Sequence, residues 1–517
     1  MPQIALSKYR NKVLGCWLGK NIGGTLGAPF EWKRQINEVS FYTQTSLNGQ
    51  PMPNDDLDIQ LLWLVALEDL GMDVTARQLA EYWMTFVTPH WAEYGTAKIN
   101  MRQGLPPPLS GIVQNAYKHS CGAYIRSEIW ACIAPGLPRL AARFAVEDAQ
   151  LDHGDGEGTY AEIFMAALES AAFFISDLRS LIDIGLSYVP ADCGVARAVR
   201  TTLACLDSGK TWVETRDEIL RLYRGKPHGP GAGDVSERDR KLGFADGNLG
   251  YDVPSNIAIT LIGLLYGGDD FGAVQCIAVN CGEDTDCTAA TAGSVWGIMY
   301  GAEAIPERWI EPIGRGIKTV CLNLGELGYF GSRLPQTVDE LTDRTLRIAQ
   351  QVLLRHGEPH ALEAPSENEP LPPLSSWKVT DSGRSIWGLT TGPRYDFDGF
   401  RIHVEYGPDG PFIRDGVPTK IRLTIHRPSG IQSNLSLQWY VPEGWRVTPS
   451  ASGYLLSLPG RFGPPQRLEY HLGTDHVARA TNRAVFEITI EGRPTVMLIP
   501  ITLLNGNVIT VPAEVES

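Results

Sequence analysis

Near the middle of the chain stands the acidic turn Cys281-Gly282-Glu283-Asp284-Thr285-Asp286-Cys287-Thr288, followed at once by the small-residue run AATAGSVWGIMYG. Three carboxylates in four positions repel one another. Such a cluster persists when it is solvated, when it caps a helix, or when it binds a cation. Asp284 and Asp286 sit where a helix would start, so capping of free N–H groups accounts for part of the cost. Capping does not require all three acids. A hard divalent cation does use them, because oxygen-rich sites bind Mg²⁺, Mn²⁺ or Ca²⁺.

A second acidic turn, Pro53-Asn54-Asp55-Asp56-Leu57-Asp58, has the same design and opens the apolar run IQLLWLVALEDLG. The N-terminal stretch LGCWLGKNIGGTLGAPFEW adds glycines at 15, 19, 23, 24 and 27, with Glu31 after Pro29. Glycines spaced by four on a helix let another helix approach closely. If the two acidic turns converge, Asp55, Asp56, Asp284 and Asp286 offer enough carboxylates for two divalent cations with shared ligands.

Taken in order, LGAPFE, the NDD turn, DHGDGEG (152–158) and GEDTDCTAATAGSVWG resemble the ADP-ribosylglycohydrolase family over about the first 350 residues. That family includes the enzyme that reactivates dinitrogenase reductase and hydrolases of ADP-ribosylated residues. The resemblance implies an all-helical fold, with divalent metals at the floor of a pocket. It implies Asn54, Asp55, Asp56, Asp284 and Asp286 as ligands, one or two ions, most simply Mg²⁺. Glu31 would stand beside the metals and take or position the proton of the attacking water. Glu31, Asp55 and Asp286 are therefore the expected catalytic residues. His153 and Asp155 match the family's HGD segment, where they would brace the pocket or meet the substrate.

The departures concern the substrate side. The usual TDD threonine is Asn54, the Asp of GDALG is Gly24, and the Thr after DTD is Cys287, a softer ligand. The second Gly of GGDTD is Glu283. On the outer wall of a pocket it would repel a pyrophosphate and favour a neutral glycoside. The same wall is expected to include the Asn100–Leu109 and Phe244–Ser255 loops, with Asn100 and Asp246 as polar contacts.

The whole chain has 517 residues, 43% apolar and 20% charged, with a net charge of −14. These are the proportions of a soluble globular protein, and the acidity argues against nucleic acid or an anionic membrane as partner. Nine cysteines without paired spacing do not form a disulfide framework. Cys16, Cys276 and Cys321 fall in apolar stretches and are expected to be buried. No leader is evident and no apolar run is long enough to span a bilayer, which points to a cytoplasmic setting. A homo-oligomer is compatible with all of this.

From about residue 7 to 357 the period is helical, as in VTARQLAEYWMTFV and RTLRIAQQVLLRH. Residues 358–374 form a Pro- and Glu-rich connector. From 375 to 517 the period becomes two, in FRIHVEYG, TKIRLTIHRP, LSLQWYVPEGW, VFEITIEG and TVMLIPITLL, which predicts an immunoglobulin-like β-sandwich. Trp439 and Trp445 there are either a sugar-stacking platform or part of the sandwich core, the commoner fate. The expected function is metal-dependent hydrolysis of an N- or O-linked ribosyl or other furanosyl bond in a small-molecule or oligosaccharide glycoside, within carbohydrate metabolism. The alternatives are an ADP-ribosyl hydrolase proper, an inactive binding protein on the same fold, and a sandwich that itself binds carbohydrate.

Overall fold

The computed structural model describes residues 2–224, 235–244, 251–322, 331–364, 371–397, 399–426, 432–458, 464–494 and 496–507. Its helices come first and its strands last, as the change of period predicts. Two compact units result: Met1–Lys98 with Ser110–Thr390, and Ile99–Leu109 with Thr391–Ser517.

In the helical unit the most extensive helix–helix contact joins Leu6–Gly27 to Thr285–Tyr300. The cause is legible in the glycines. A Cβ at Gly15, Gly19, Gly23 or Gly27 would meet backbone of Gly297, Gly293, Ala289 or Thr285 at 2.5, 2.1, 2.3 and 2.3 Å. Gly293 and Gly297 are equally closed, each against the facing glycine's carbonyl oxygen. The two backbones therefore touch along four turns, and both helices are buried almost all round. An all-buried helix has no amphipathic stripe and must sit at the centre of a bundle.

The other helices follow from ordinary local rules. Ala76–Phe86 starts at a capping box of Thr75 and Gln78, and Trp212–Tyr223 at one of Thr211 and Glu214. Asp55–Leu70 ends on Gly71 at φ 90, a backbone state glycine adopts freely. Val338–Arg355 is strongly amphipathic and turns Leu341, Ile348 and Val352 inward. The expected loop at Asn100–Leu109 is shorter than predicted. The helix Ala92–Arg102 runs into it, because NMR carries no helix breaker and Gly104 is the first glycine reached.

The stretch after the connector stays with the helices for some distance. Tyr188 donates its hydroxyl to the carbonyl of Trp377 at 3.0 Å. The rings of Phe174 and Trp377 lie 6.0 Å apart, and those of Tyr160 and Trp387 6.1 Å apart.

The strands are β1 (Arg394–Phe397), β2 (Phe400–Tyr406), β3 (Phe412–Ile413), β4 (Thr419–His426), β5 (Ser433–Tyr440), β6 (Arg446–Thr448), β7 (Ser452–Ser457), β8 (Gln466–Gly473), β9 (Thr481–Ile490) and β10 (Val496–Asn505). They form two sheets ordered β1-β2-β4-β8-β6 and β3-β10-β9-β5-β7. Inward alternate residues such as Ile402, Val404, Ile421, Leu423, Leu435, Leu437, Phe486 and Ile488 make the core. Trp439 is in that core, 3% exposed, with Tyr470 and Phe486 at 5.3 and 5.0 Å, and Trp445 packs against it. Neither is an open platform. All nine cysteines are free; Cys16 and Cys321 are buried, and Cys276 is half-buried.

The glycine contact makes a direct prediction. Helix propensity alone favours alanine over glycine by about 1 kcal/mol, yet Gly19→Ala is expected to destabilise the protein by roughly 1–3 kcal/mol through overpacking. A fall in Tm checks this. A rise would mean that the two helices can part freely.

Candidate metal centre

The closely packed helix pair delivers one wall of the site. Leu6–Gly27 passes through a short turn, Ala28–Phe30, to Glu31, while Thr285 donates its hydroxyl to the carbonyl of Gly27 at 2.8 Å. Glu31 is thereby set against the acidic turn. One carboxylate oxygen each of Glu31, Asp284 and Asp286 lies within 4.8 Å of the others.

The second acidic turn arrives as the start of Asp55–Leu70. Asn54 caps that helix, its Oδ1 accepting the N–H of Asp56 at 2.7 Å. Oxygens of Asp56 and Asp286 and the sulfur of Cys287 also lie within 4.8 Å of one another. Thus two helix starts some 230 residues apart meet, as the paired turns predict. Asp55 stands at the rim, with its Oδ2 accepting the Tyr94 hydroxyl at 3.1 Å. Asp58 does a different job: its Oδ2 accepts the N–H groups of Val320 and Cys321, both at 2.6 Å.

Asp284 is the N-cap residue of Thr285–Tyr300, but its side chain makes no cap hydrogen bond. Helix capping therefore does not explain it. Both carboxylate oxygens of Asp56, and Oδ1 of Asp284 and of Asp286, are buried without an N–H or O–H partner among the described residues. Burial pushes these carboxyls up, and mutual repulsion pushes them further. Asp286 rises to about 6, and Glu31 to about 10 with Asp286, Asp55 and Asp56 around it. Asp56 and Asp284 lie well above the usual carboxylate range. Buried oxygens in want of positive charge are the donor set of a hard divalent cation.

Glycine 24 explains one departure. A Cβ there would lie 2.1 Å from Nδ2 of Asn54, so the Asn54 amide fills the space that an aspartate at 24 would need. Behind the cluster is a buried cation that sequence reasoning missed. Lys20 donates to Glu128 at 2.7 Å and to Thr291 at 3.3 Å. Burial opposes its charge, and Glu128 and Asp56 overcome that opposition. Gln60 ties this pair to the site, donating to Glu128 at 2.9 Å and to the Asp56 carbonyl at 2.8 Å. The available signal was a lysine that is the one charged residue of the glycine-rich stretch 13–27. Tyr94 and Cys121, the latter beside Asp284, carried no signal in the sequence.

The remaining expected residues are placed as follows. His153 is buried between Asp152, 2.8 Å from its Nδ1, and Ser120, 3.2 Å from its Nε2. Arg126 holds Asp152 through two nitrogens at 3.0 and 2.7 Å. This is a bracing network, and Asp155 lies outside it, paired at the surface with Lys118 at 2.8 Å. Asn100 is buried and belongs to the second compact unit. Asp246 lies outside the described residues.

Glu283 is not on an open wall. It is fully buried and pairs with Arg224, in the field of Arg216 and Arg34. Both Arg224 and Arg34 also donate to the carbonyl of Phe244. Glu283 follows Gly282 in the left-handed region, at φ 69 after φ 73, which is why glycine is the simpler residue there. Its charge is matched by an arginine, so the expected repulsion of a pyrophosphate loses its ground.

The family model for ADP-ribosylglycohydrolase matches residues 5–350. The chain belongs to the ADP-ribosylglycohydrolase family. Its function is accordingly of the glycohydrolase type, and both acidic clusters fall inside the matched region. No curated protein matches the chain. Among solved structures it is similar to the FixG-related protein from Vibrio parahaemolyticus at 12% identity, over 22% of this chain and 100% of that one, with a TM-score of 0.18. A likeness that slight carries no argument. No helix among the described residues is long and apolar enough to cross a membrane.

The raised carboxyls set a pH dependence in chelator. The unfolded chain releases these protons near pH 4, whereas the folded chain holds them to about 6 at Asp286 and about 10 at Glu31. Stability is therefore present below about pH 4 and is lost as pH rises through the folded values. A divalent cation binding the folded state should restore it. Melting curves are expected to show a larger rise with Mn²⁺ or Mg²⁺ at pH 8 than at pH 5; a cation-independent Tm would sink the site.

Proposed function

We propose that this protein is a divalent-metal-dependent glycoside hydrolase that cleaves an N- or O-linked ribosyl or other furanosyl bond. The observation that carries this reading is the convergence of two acidic helix starts with Glu31 around buried carboxylate oxygens that have no N–H or O–H partner among the described residues. Asp56, Asp284 and Asp286 would hold the cation, with Asp55 and Asn54 at the rim and Cys287 as a softer neighbour. A cation so held supplies Lewis-acid polarisation of sugar and water oxygens.

The chain's own residues do the rest. Glu31 stands at the half-exposed edge of the cluster, where water and substrate arrive. Burial, and after it the neighbouring carboxylates, keep Glu31 protonated. With those carboxylates neutralised the repulsive part is gone, which brings Glu31 closer to accepting the proton of the attacking water. Lys20, paired with Glu128, holds positive charge behind Asp56 and limits the cluster's self-repulsion. Tyr94 fixes Asp55 through its hydroxyl. Cleavage at the anomeric carbon develops positive charge on the ring oxygen, which an acidic pocket stabilises.

One observation favours a second reading, hydrolysis of ADP-ribosyl bonds. The pairing of Glu283 with Arg224 removes the like charge that argued against a pyrophosphate. A panel of nitrophenyl furanosides and ADP-ribosylated substrates, with and without chelator, decides between them. Asp286→Ala is expected to lower kcat by at least about a hundredfold on every substrate that the unaltered protein turns over. Full activity in chelator, or in that variant, would refute the mechanism.

A further inference from the structure

Two tryptophans stand out against the buried majority. Among the described residues Trp32 and Trp91 are the exposed tryptophans, at 47% and 49%. Trp32 follows Glu31 in the chain, and its backbone N–H donates to the carbonyl of Glu283 at 2.9 Å, one residue before Asp284. Trp91 lies near-parallel to Tyr94, 23° between planes and 6.4 Å between centroids. The Tyr94 hydroxyl in turn bonds Asp55. Trp32 is thus pinned by its backbone beside the acidic turn, and the Trp91 ring stands one aromatic ring away from Asp55.

The cluster's burial says where its mouth is. Asp56, Asp284, Asp286 and Cys287 are buried, whereas Glu31, Asn54 and Asp55 keep partial exposure. The partly exposed members are therefore Glu31, next to Trp32 in the chain, and Asp55, bonded to Tyr94, with Asn54 beside it. Neither ring is there by default. Trp32 has φ 62, a state that sterics disfavour for a bulky residue, and Ala92 after Trp91 has φ 33. Leaving an indole in water also forgoes its burial. The bond to Glu283, itself left-handed and fastened by Arg224, holds Trp32 in place. Strain of this kind collects where a side chain is used.

Resting on the glycohydrolase reading, we propose that Trp32 and Trp91 are specificity-determining residues that stack on a ring carried by the glycoside beyond the furanose. The carboxylate floor recognises hydroxyls and offers nothing to an apolar ring face. Indole faces supply that contact, and they accept an aryl group, a nucleobase or a second sugar alike. The substrate class is therefore a furanoside with an attached ring, rather than a free pentose or a simple alkyl furanoside.

The test is calorimetric titration of the full chain in Mn²⁺ with methyl ribofuranoside, nitrophenyl ribofuranoside, adenosine and ADP-ribose. The unaltered protein is expected to bind ring-bearing ligands about tenfold tighter than the methyl glycoside. That ratio should fall toward one in Trp32→Gly and Trp91→Ala and be largely kept in Trp32→Phe. Glycine suits the left-handed backbone, so Trp32→Gly should fold, and its melting curve verifies this. The adenosine and ADP-ribose arms show whether the ring is a nucleobase. An unchanged ratio, or equal weakening of methyl and ring-bearing ligands, overturns the stacking role while leaving hydrolysis intact. No binding of any ring-bearing ligand by the unaltered protein overturns it too. ADP-ribose binding lost in the variants, with no furanoside hydrolysed, would keep the stacking and discard the neutral furanoside.

Discussion

The site depends on the contact between two glycine-lined helices. Leu6–Gly27 and Thr285–Tyr300 touch backbone to backbone, and one added methyl group at any of four glycines would force them apart. Interiors as tightly packed as this transmit displacement instead of absorbing it. Because Glu31 hangs from the end of one helix and Asp284 and Asp286 form the start of the other, the spacing of carboxylates is set by glycines up to four turns away. The contact also explains why both helices are buried on every side: each is the other's wall, and the remaining helices pack round the pair.

Such a centre is electrostatically uncomfortable, and the structure shows how the discomfort is distributed. Lys20 opposes the charge from behind, in an ion pair that is itself hydrogen-bonded by Gln60 and Thr291. A single buried cation cannot offset Asp55, Asp56, Asp284, Asp286 and Glu31. The surplus appears as carboxyls that retain protons and as oxygens without partners. A fold that stores repulsion in this way gains stability when a cation arrives. The Arg126–Asp152–His153 network lies alongside and is internally satisfied, which is the behaviour of a brace.

Glu283 shows how a substitution at a motif position changes its meaning with its neighbours. Considered alone, a carboxylate in place of a glycine is a new negative charge facing the substrate. Beside Arg224 it becomes a fastener that fixes the backbone at Trp32 and the carbonyl end of Phe244. The pair is buried, where breaking one partner costs more than the pair itself contributes. What the substitution alters is therefore the rigidity of the rim, not the sign of its charge.

By itself, the sequence determined the class of each part of the chain and the acidic character of its centre. Period 3.6 before about residue 357 and period two beyond the connector mark helices and sandwich, because burial of one face imposes the period directly on the residues. The two acidic helix starts were legible because carboxylates so close in sequence need a common reason, and Glu31 was legible only through the family resemblance. Only the tertiary structure decided the partners. Lys20, Tyr94 and Cys121 reach the cluster from helices and turns whose proximity no local pattern encodes. It likewise gave Trp439 to the core and left Trp32 and Trp91 exposed, since exposure belongs to the packed surface and not to the residue. Glu283 was misplaced for the same reason: the sequence shows a charge, while only the fold shows the arginine that answers it.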